Sequence, residues 1–100
     1  MDKTSILREM NRAMDEVLVD AAASLMRRKL AKARDKGRGG WWNPAECTVG
    51  ALREAMARHV EKGDPVDVAN FAAMVAVREI LETPDYTSTS EPTHNAQEER

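Results

Sequence analysis

The sequence predicts an all-α protein in which one long helix and two shorter ones form a small helical bundle. Three observations support this prediction. The chain has 100 residues, which suits a single small domain. Aromatic residues make up only 4 % of it, and the apolar remainder is mostly Ala, Val, Leu and Met, which favour packed helices over sheet. Apolar residues also recur at intervals of three and four in three segments, each flanked by residues that start or stop helices.

The first helix is predicted over about residues 5–36, with Thr4 or Ser5 as its N-cap and Gly37 just beyond its end. Its apolar residues form a stripe along one face: Ile6, Leu7, Met10, Met14, Val17, Leu18, Ala21, Leu25 and Met26. A helix of about 32 residues is roughly 48 Å long, more than two shorter helices can cover. The stripe is either an ordinary core contact or a seam with a second copy, and we expect oligomerisation to complete the bundle.

Residues 27–38 form a basic segment, although the whole chain has a formal net charge of −2. The segment contains one acid, Asp35, and seven cations: Arg27, Arg28, Lys29, Lys32, Arg34, Lys36 and Arg38. Cations at the end of a helix are favoured by its dipole, so a solvated helix end is one interpretation. A contact for an anionic partner is the other.

A glycine-rich loop, residues 37–43, follows the basic segment. Its glycines expose backbone N–H groups and leave Arg38 free to approach a ligand closely. The GxxxxGK[ST] and GxGxxG patterns are absent, so a flexible connection is the alternative. Trp41 and Trp42 would point to opposite sides of an extended chain. We expect one indole to pack in the core and the other to be free to stack on a nucleobase.

The second and third helices are predicted over about residues 49–62 and 65–82. Thr48 is the expected N-cap of the second helix, and Gly63 its end. Asp64 is the expected N-cap of the third, where a proline follows at the first helical position. Each helix therefore has its own start signal, and a tight turn joins them.

Four polar residues near that turn are candidates for a site. Asp64 and Asp67 offer carboxylate oxygens, the ligands that Mg²⁺ prefers, although helix capping alone explains the first of them. Asn70 lies one turn beyond Asp67 on the same face. His59 is either a partly buried structural residue or a contact for a polar ligand edge.

The helical domain is predicted to cover residues 1–82, with residues 83–100 as a disordered acidic tail that lacks apolar side chains for a core. The single cysteine, Cys47, rules out an internal disulfide and fits a reducing compartment. No segment approaches the roughly 20 apolar residues of a membrane span, and none has the pattern of a signal peptide. We therefore expect a cytoplasmic protein that does not enter a membrane.

Residues 29–75 resemble a group of short bacteriophage and prophage proteins. The resemblance lies in two sequence segments, KLAKARDKGRGGW and HVEKGDPVDVANFAAM. The group is similar to a reduced form of the MazG-like superfamily of all-α nucleoside triphosphate pyrophosphohydrolases. This resemblance implies a dimer and magnesium held by paired acidic motifs. Asp64 and Asp67 would form the ExxD motif, with Asp in the first position. Glu54 would begin the ExxE motif, but Ala57 stands where its second acid is expected.

The resemblance and the residues together predict a phage-type protein that sequesters a phosphorylated nucleotide of host defence, linear or cyclic, without cleaving it. Such binding requires no cofactor. The residues predicted to contact the ligand are Arg34, Arg38, Gly39, Gly40, Trp41, Trp42, His59 and Asn70.

Three other functions remain open from the sequence. The first is an Mg²⁺-dependent pyrophosphohydrolase with Glu54, Asp64 and Asp67 as its catalytic acids. The second is a helical adaptor or inhibitor that binds another protein through the basic segment and the tryptophan pair. Direct binding of nucleic acid is the least favoured, because the chain as a whole is acidic.

Overall fold

The computed structural model of the chain describes residues 2–83. Three helices account for most of them: α1 (Lys3–Asp35), α2 (Val49–Lys62) and α3 (Pro65–Leu81). The described residues contain no strand, so the all-α prediction of one long and two shorter helices is confirmed. Residues 84–100, which make up nearly all of the predicted acidic tail, lie outside the described part of the chain.

The predicted N-cap of α1, Thr4 or Ser5, is wrong by two or three residues. Asp2 is the N-cap, and its Oδ1 atom accepts a hydrogen bond of 2.8 Å from the backbone N–H of Ser5. Thr4 and Ser5 themselves lie inside the helix. A carboxylate is favoured at this position because it also meets the positive end of the helix dipole, which a hydroxyl does less well.

The caps of α2 and α3 are the predicted ones. Thr48 Oγ1 accepts a hydrogen bond of 3.0 Å from the N–H of Ala51. Asp64 Oδ1 accepts one of 3.2 Å from the N–H of Asp67. Between the two helices, Gly63 closes α2 in the left-handed conformation, with φ at +76°.

Helix α3 is the centre of the fold, because it packs against both α1 and α2 while those two have no backbone contact with each other. The buried apolar core is small and consists of Leu52, Ala55 and Val75. Asn70 ties α3 to α1, since its Nδ2 atom donates a hydrogen bond of 3.3 Å to the backbone carbonyl of Met26. The packed part of α1 is therefore its C-terminal half.

The apolar stripe of α1 has no cover among the described residues. Its large members are 44 % to 65 % exposed, namely Ile6, Leu7, Met10, Met14, Val17, Leu18 and Leu25. At about 100° per residue, the centre of this stripe lies roughly 140° around the helix from the side that carries Met26, Leu30 and Ala33. Met26 thus belongs to the side that faces α3, and the stripe does not continue the contact with α3.

Candidate functional site

A cavity of about 420 Å³ lies between α1 and α2, over α3 and beside the loop that joins the first two helices. Its size falls within the range of small-molecule sites, which is about 300 to 1,000 Å³. All eight residues that the sequence singles out for ligand contact line this cavity. The fold therefore brings together residues that are spread over more than thirty positions of the chain, while their role in binding stays a prediction.

The loop beside the cavity is held in place by a buried arginine of α3. Arg78 is only 3 % exposed. Its Nη1 atom donates hydrogen bonds of 2.7 Å to the backbone carbonyls of Trp41 and Cys47. Its Nε atom donates one of 2.7 Å to the carboxylate of Glu82. The loop is thus anchored at two points, and the charge of the guanidinium is balanced by an acid one turn away.

Sequence reasoning missed Arg78. A signal was present, because Phe71, Val75 and Arg78 follow the spacing of one helix face. That spacing places an arginine on the face that carries the core, where a charge needs partners. It does not say that the partners are carbonyls of a loop more than thirty residues earlier in the chain.

The glycine-rich loop folds closely on itself at one glycine. Gly40 has a φ of +81°, and a Cβ atom there would lie 2.6 Å from Oε1 of Glu46. A side chain at this position would therefore be strained and would also clash. The close turn keeps the backbone of the loop next to the cavity, where Gly39 and Gly40 both line the wall.

The two tryptophans differ in exposure, while their expected roles stay a prediction. Trp41 is half-buried, and its carbonyl is fixed by Arg78. Trp42 is 62 % exposed. Both line the cavity. The indole of Trp42 is therefore the one with a free face for stacking.

The basic segment divides into two groups. Lys29, Arg34 and Arg38 line the cavity. The other four cations, which are Arg27, Arg28, Lys32 and Lys36, are exposed and do not line it. One group is thus a solvated helix surface, and the other lines a concave site, where contact with an anionic partner stays a prediction.

An acidic corner, formed by Asp64, Asp67, His59 and Lys29, lies where α2 turns into α3. Lys29 Nζ is 3.2 Å from Asp64 Oδ2 and 3.3 Å from Asp67 Oδ2. His59 Nδ1 is 3.3 Å from Asp67 Oδ2, but without hydrogen-bond geometry, so this buried nitrogen has no hydrogen-bond partner among the described residues. The ring of His59 packs against Phe71 at a centroid distance of 5.1 Å.

Charge and hydrogen bonding in this corner stabilise the ionised forms. The pKa of Asp64 is lowered by its side-chain contact with Asp67, then by the backbone N–H of Asp67, and further by Lys29. The pKa of Lys29 is raised by its hydrogen bonds to Asp64 and Asp67. The corner therefore favours the carboxylate form of Asp64 and the ammonium form of Lys29.

Three residues of the corner have the chemistry of a metal site. His59, Asp64 and Asp67 each offer one ligand atom, and these atoms lie within 4.8 Å of one another. One imidazole nitrogen with two carboxylate oxygens suits Zn²⁺, Mn²⁺ or Co²⁺ more than Mg²⁺, which prefers oxygen alone. The ammonium of Lys29, however, already contacts both carboxylates.

Glu54, the third of the predicted catalytic acids, is not brought to this corner. It is exposed on α2, five residues before His59, and it lines neither the cavity nor the three-ligand cluster. At about 100° per residue, five positions turn a side chain well away from the same face. The structure thus joins Asp64 and Asp67 to His59 and Lys29 rather than to Glu54.

The chain matches no known family model, no curated protein and no solved structure. Within residues 2–83, no helix combines the length and the apolar character needed to cross a membrane. The described residues form a three-helix α fold with a cation-lined cavity and an adjoining acidic corner.

Proposed function

We propose that this chain is a nucleotide-binding protein of the kind found in phages, which sequesters a phosphorylated nucleotide signal of host defence, linear or cyclic, without cleaving it. The observation that carries the proposal is the cavity, which combines cations, loop backbone and indoles in one concave site. Phosphate and base each have a suitable partner there. Such a ligand occurs in the host cytoplasm, where we expect the protein to act.

The phosphate is bound by the cationic wall. Arg34 and Arg38 line the cavity, and a guanidinium forms paired, charge-assisted hydrogen bonds with phosphate oxygens. Backbone N–H groups of Gly39 and Gly40 are available beside them, since neither glycine has a side chain to shield its amide.

The base is bound by aromatic stacking and by polar edges. The exposed indole of Trp42 offers a stacking surface, and such stacking is worth about 1 to 3 kcal/mol per base. Asn70 is only 5 % exposed and lines the cavity. Its side chain is oriented by its hydrogen bond to the Met26 carbonyl. His59 adds a second polar edge. Because Arg78 holds the loop, little ordering is needed when the ligand enters.

Binding without cleavage is supported by the small number of available acids. Hydrolysis of a triphosphate requires several carboxylates that hold divalent metal ions on the phosphates. Here Asp67 is the acid that lines the cavity, Asp64 adjoins it, and the single ammonium of Lys29 contacts both. Glu54, which the enzyme interpretation also needs, is elsewhere on the surface.

The second candidate is the Mg²⁺-dependent nucleoside triphosphate pyrophosphohydrolase, and the cluster of His59, Asp64 and Asp67 is the observation in its favour. This function predicts that pyrophosphate is released from a nucleoside triphosphate when a divalent metal is added. Absence of release from every common nucleotide, with Mg²⁺ or Mn²⁺ present, would eliminate it.

A second copy of the chain is the partner that we propose for the uncovered stripe of α1. Seven large apolar side chains exposed along one helix face are unusual for a monomer, and burying each of them would contribute about 1.5 to 3 kcal/mol. The three-residue core within one chain is small by comparison. Self-association would supply the missing apolar contact.

The first test is native mass spectrometry of the protein before and after addition of linear and cyclic nucleotides, with and without Mg²⁺. We expect a mass increase equal to an intact nucleotide, with a stoichiometry that reports the size of the assembly. Cleaved nucleotide would favour the enzyme. Neither binding nor cleavage would favour the adaptor.

The second test measures the affinity of Arg38→Ala by titration calorimetry with the nucleotide found in the first. Loss of a charge-assisted hydrogen bond of about 1.5 to 3 kcal/mol weakens binding roughly tenfold to a hundredfold. Arg27→Ala is the matched control, because Arg27 belongs to the same basic segment but does not line the cavity. Normal binding by Arg38→Ala, or equal loss by both variants, would contradict the proposal.

A further inference from the structure

The acidic corner contains a cation that belongs to the chain itself. Lys29 reaches across from α1 and places its ammonium 3.2 Å and 3.3 Å from one oxygen each of Asp64 and Asp67. These are two of the three residues whose ligand atoms could hold a metal ion. A divalent ion bound to both carboxylates would lie about 2.0 to 2.6 Å from their oxygens, next to this ammonium. The two cations cannot both occupy the corner without strong repulsion.

We propose that Lys29 is the resident cation of the acidic corner and keeps divalent metal ions out of it, so that the cavity takes its anionic ligand without a metal. The proposal explains why acids that resemble a metal motif occur in a chain with too few carboxylates for metal-dependent cleavage. It deepens the proposed function, on which its statement about the ligand rests.

The position of Lys29 is set by the fold rather than by chance contact on a surface. Three residues earlier, the Met26 carbonyl accepts the hydrogen bond from Asn70, which fixes this part of α1 against α3. The two carboxylates are fixed as well, because Asp64 is the N-cap of α3 and accepts the N–H of Asp67. The lysine and both acids are thus presented by backbone that is already anchored.

The state of His59 is the second observation that concerns a cation. Its Nδ1 atom is buried, faces Asp67 Oδ2 at 3.3 Å and has no hydrogen-bond partner among the described residues. A metal ion in the corner would give this nitrogen a partner. The ammonium of Lys29, which can only donate hydrogen bonds, contacts the carboxylates instead. Removal of the Lys29 ammonium would therefore leave three residues that can ligate a metal ion.

An isolated surface ion pair is the simplest competing explanation. Exposed pairs contribute little to stability, about 0 to 1 kcal/mol, and would have no consequence for metals. The two explanations differ in what happens when the lysine is removed. If Lys29 forms only a surface ion pair, its loss leaves the metal affinity of the corner unchanged. If Lys29 is the resident cation, its loss creates a metal site.

The test titrates Co²⁺ alone into the purified protein and follows its visible absorption, in the absence of any nucleotide. We expect Lys29→Met to bind Co²⁺ at least on the order of tenfold more tightly than the unaltered protein, the size of effect that neighbouring groups have on metal sites. Lys29→Gln, which keeps a polar side chain, serves as a second variant in case Lys29→Met folds poorly. Folding of both is checked by circular dichroism.

Two controls connect the effect to the corner. Lys32→Met removes a cation from the same helix that does not line the cavity, so it should bind Co²⁺ like the unaltered protein. Adding Asp67→Asn to Lys29→Met removes one ligand and should reverse the gain. Mg²⁺ should compete poorly with Co²⁺ in Lys29→Met, because the histidine nitrogen favours the transition metal.

Equal Co²⁺ affinity in the unaltered protein and in both Lys29 variants would overturn the proposal. So would tight Co²⁺ binding by the unaltered protein. Failure of the nucleotide function is a separate result, because it appears in the mass spectrometry and calorimetry of the nucleotide and leaves the Co²⁺ titration unaffected.

Discussion

The two halves of α1 share one secondary structure and little else. Residues 6–21 are exposed at every position. Residues 22–35 pack against α3, receive the hydrogen bond from Asn70 and provide part of the cavity wall. One half therefore takes part in the fold of the single chain, while the other presents an apolar face to whatever lies outside it.

This difference teaches that helix formation and helix packing are separate consequences of the sequence. Both halves contain good helix formers and no interior Pro or Gly, so both are helical. The apolar residues of the first half lie on a different side of the helix from those of the second. A single bundle of three helices can cover only one of these two sides.

The largest expected effect is a loss of folding stability when the loop that follows the packed half of α1 loses its anchor. Arg78→Met leaves the carbonyls of Trp41 and Cys47 without their donor, so the free energy of unfolding should fall by about 2 to 4 kcal/mol. Urea denaturation measures this. Arg53→Met is the control, because Arg53 pairs with Glu79 on the surface and should cost about 0 to 1 kcal/mol. Similar losses in both variants would contradict the role of Arg78 as the anchor of the loop.

The next largest effect is on self-association through the uncovered half of α1. Met14→Glu places a charge in the middle of the stripe and should raise the dissociation constant of the oligomer by at least about tenfold, a change of about 1.4 kcal/mol. Sedimentation equilibrium measures it. Arg12→Gln changes the net charge by the same amount on the opposite side of α1 and should leave association intact. If Met14→Glu associates normally, the stripe is not the seam.

The smallest effect compares two N-caps in the Met14→Glu background, where the chain is expected to be monomeric. Thr48→Ala removes the cap of α2, which packs against α3, and should cost about 1 kcal/mol of unfolding free energy. Asp2→Ala removes the cap of α1 at its uncovered end, which frays independently of global unfolding and should cost nothing measurable. Equal costs would mean that the uncovered half is coupled to the core.

The sequence predicted the helices well because their limits depend on local chemistry. Thr48, Gly63 and Asp64 act within one turn of their own positions, and their roles are those predicted. The start of α1 was missed by two or three residues because Asp2, Thr4 and Ser5 are all competent caps within the same turn. Local sequence signals do not distinguish between cap residues that lie so close together in the chain.

The grouping of the cavity residues was also predictable, whereas the contacts that organise it were not. Arg38 follows the C-terminal end of α1 and His59 lies in the last turn of α2, and both line the cavity. The loop carbonyls that Arg78 binds and the acids that Lys29 contacts lie more than thirty positions away along the chain. Helical periodicity assigns a side chain to a face, but it does not say which distant group meets that face.

The length of α1 has a geometric consequence for an assembly built on the stripe. If two copies pair antiparallel about Met14, the cavities, which begin near Leu30, lie on opposite sides of the centre and roughly 48 Å apart at 1.5 Å per residue. A parallel pair would instead bring the two cavities side by side. Because Cys47 lines the cavity and is the only cysteine in the chain, a single spin label there would report this spacing directly. The uncovered helix would then act as a ruler between two ligands.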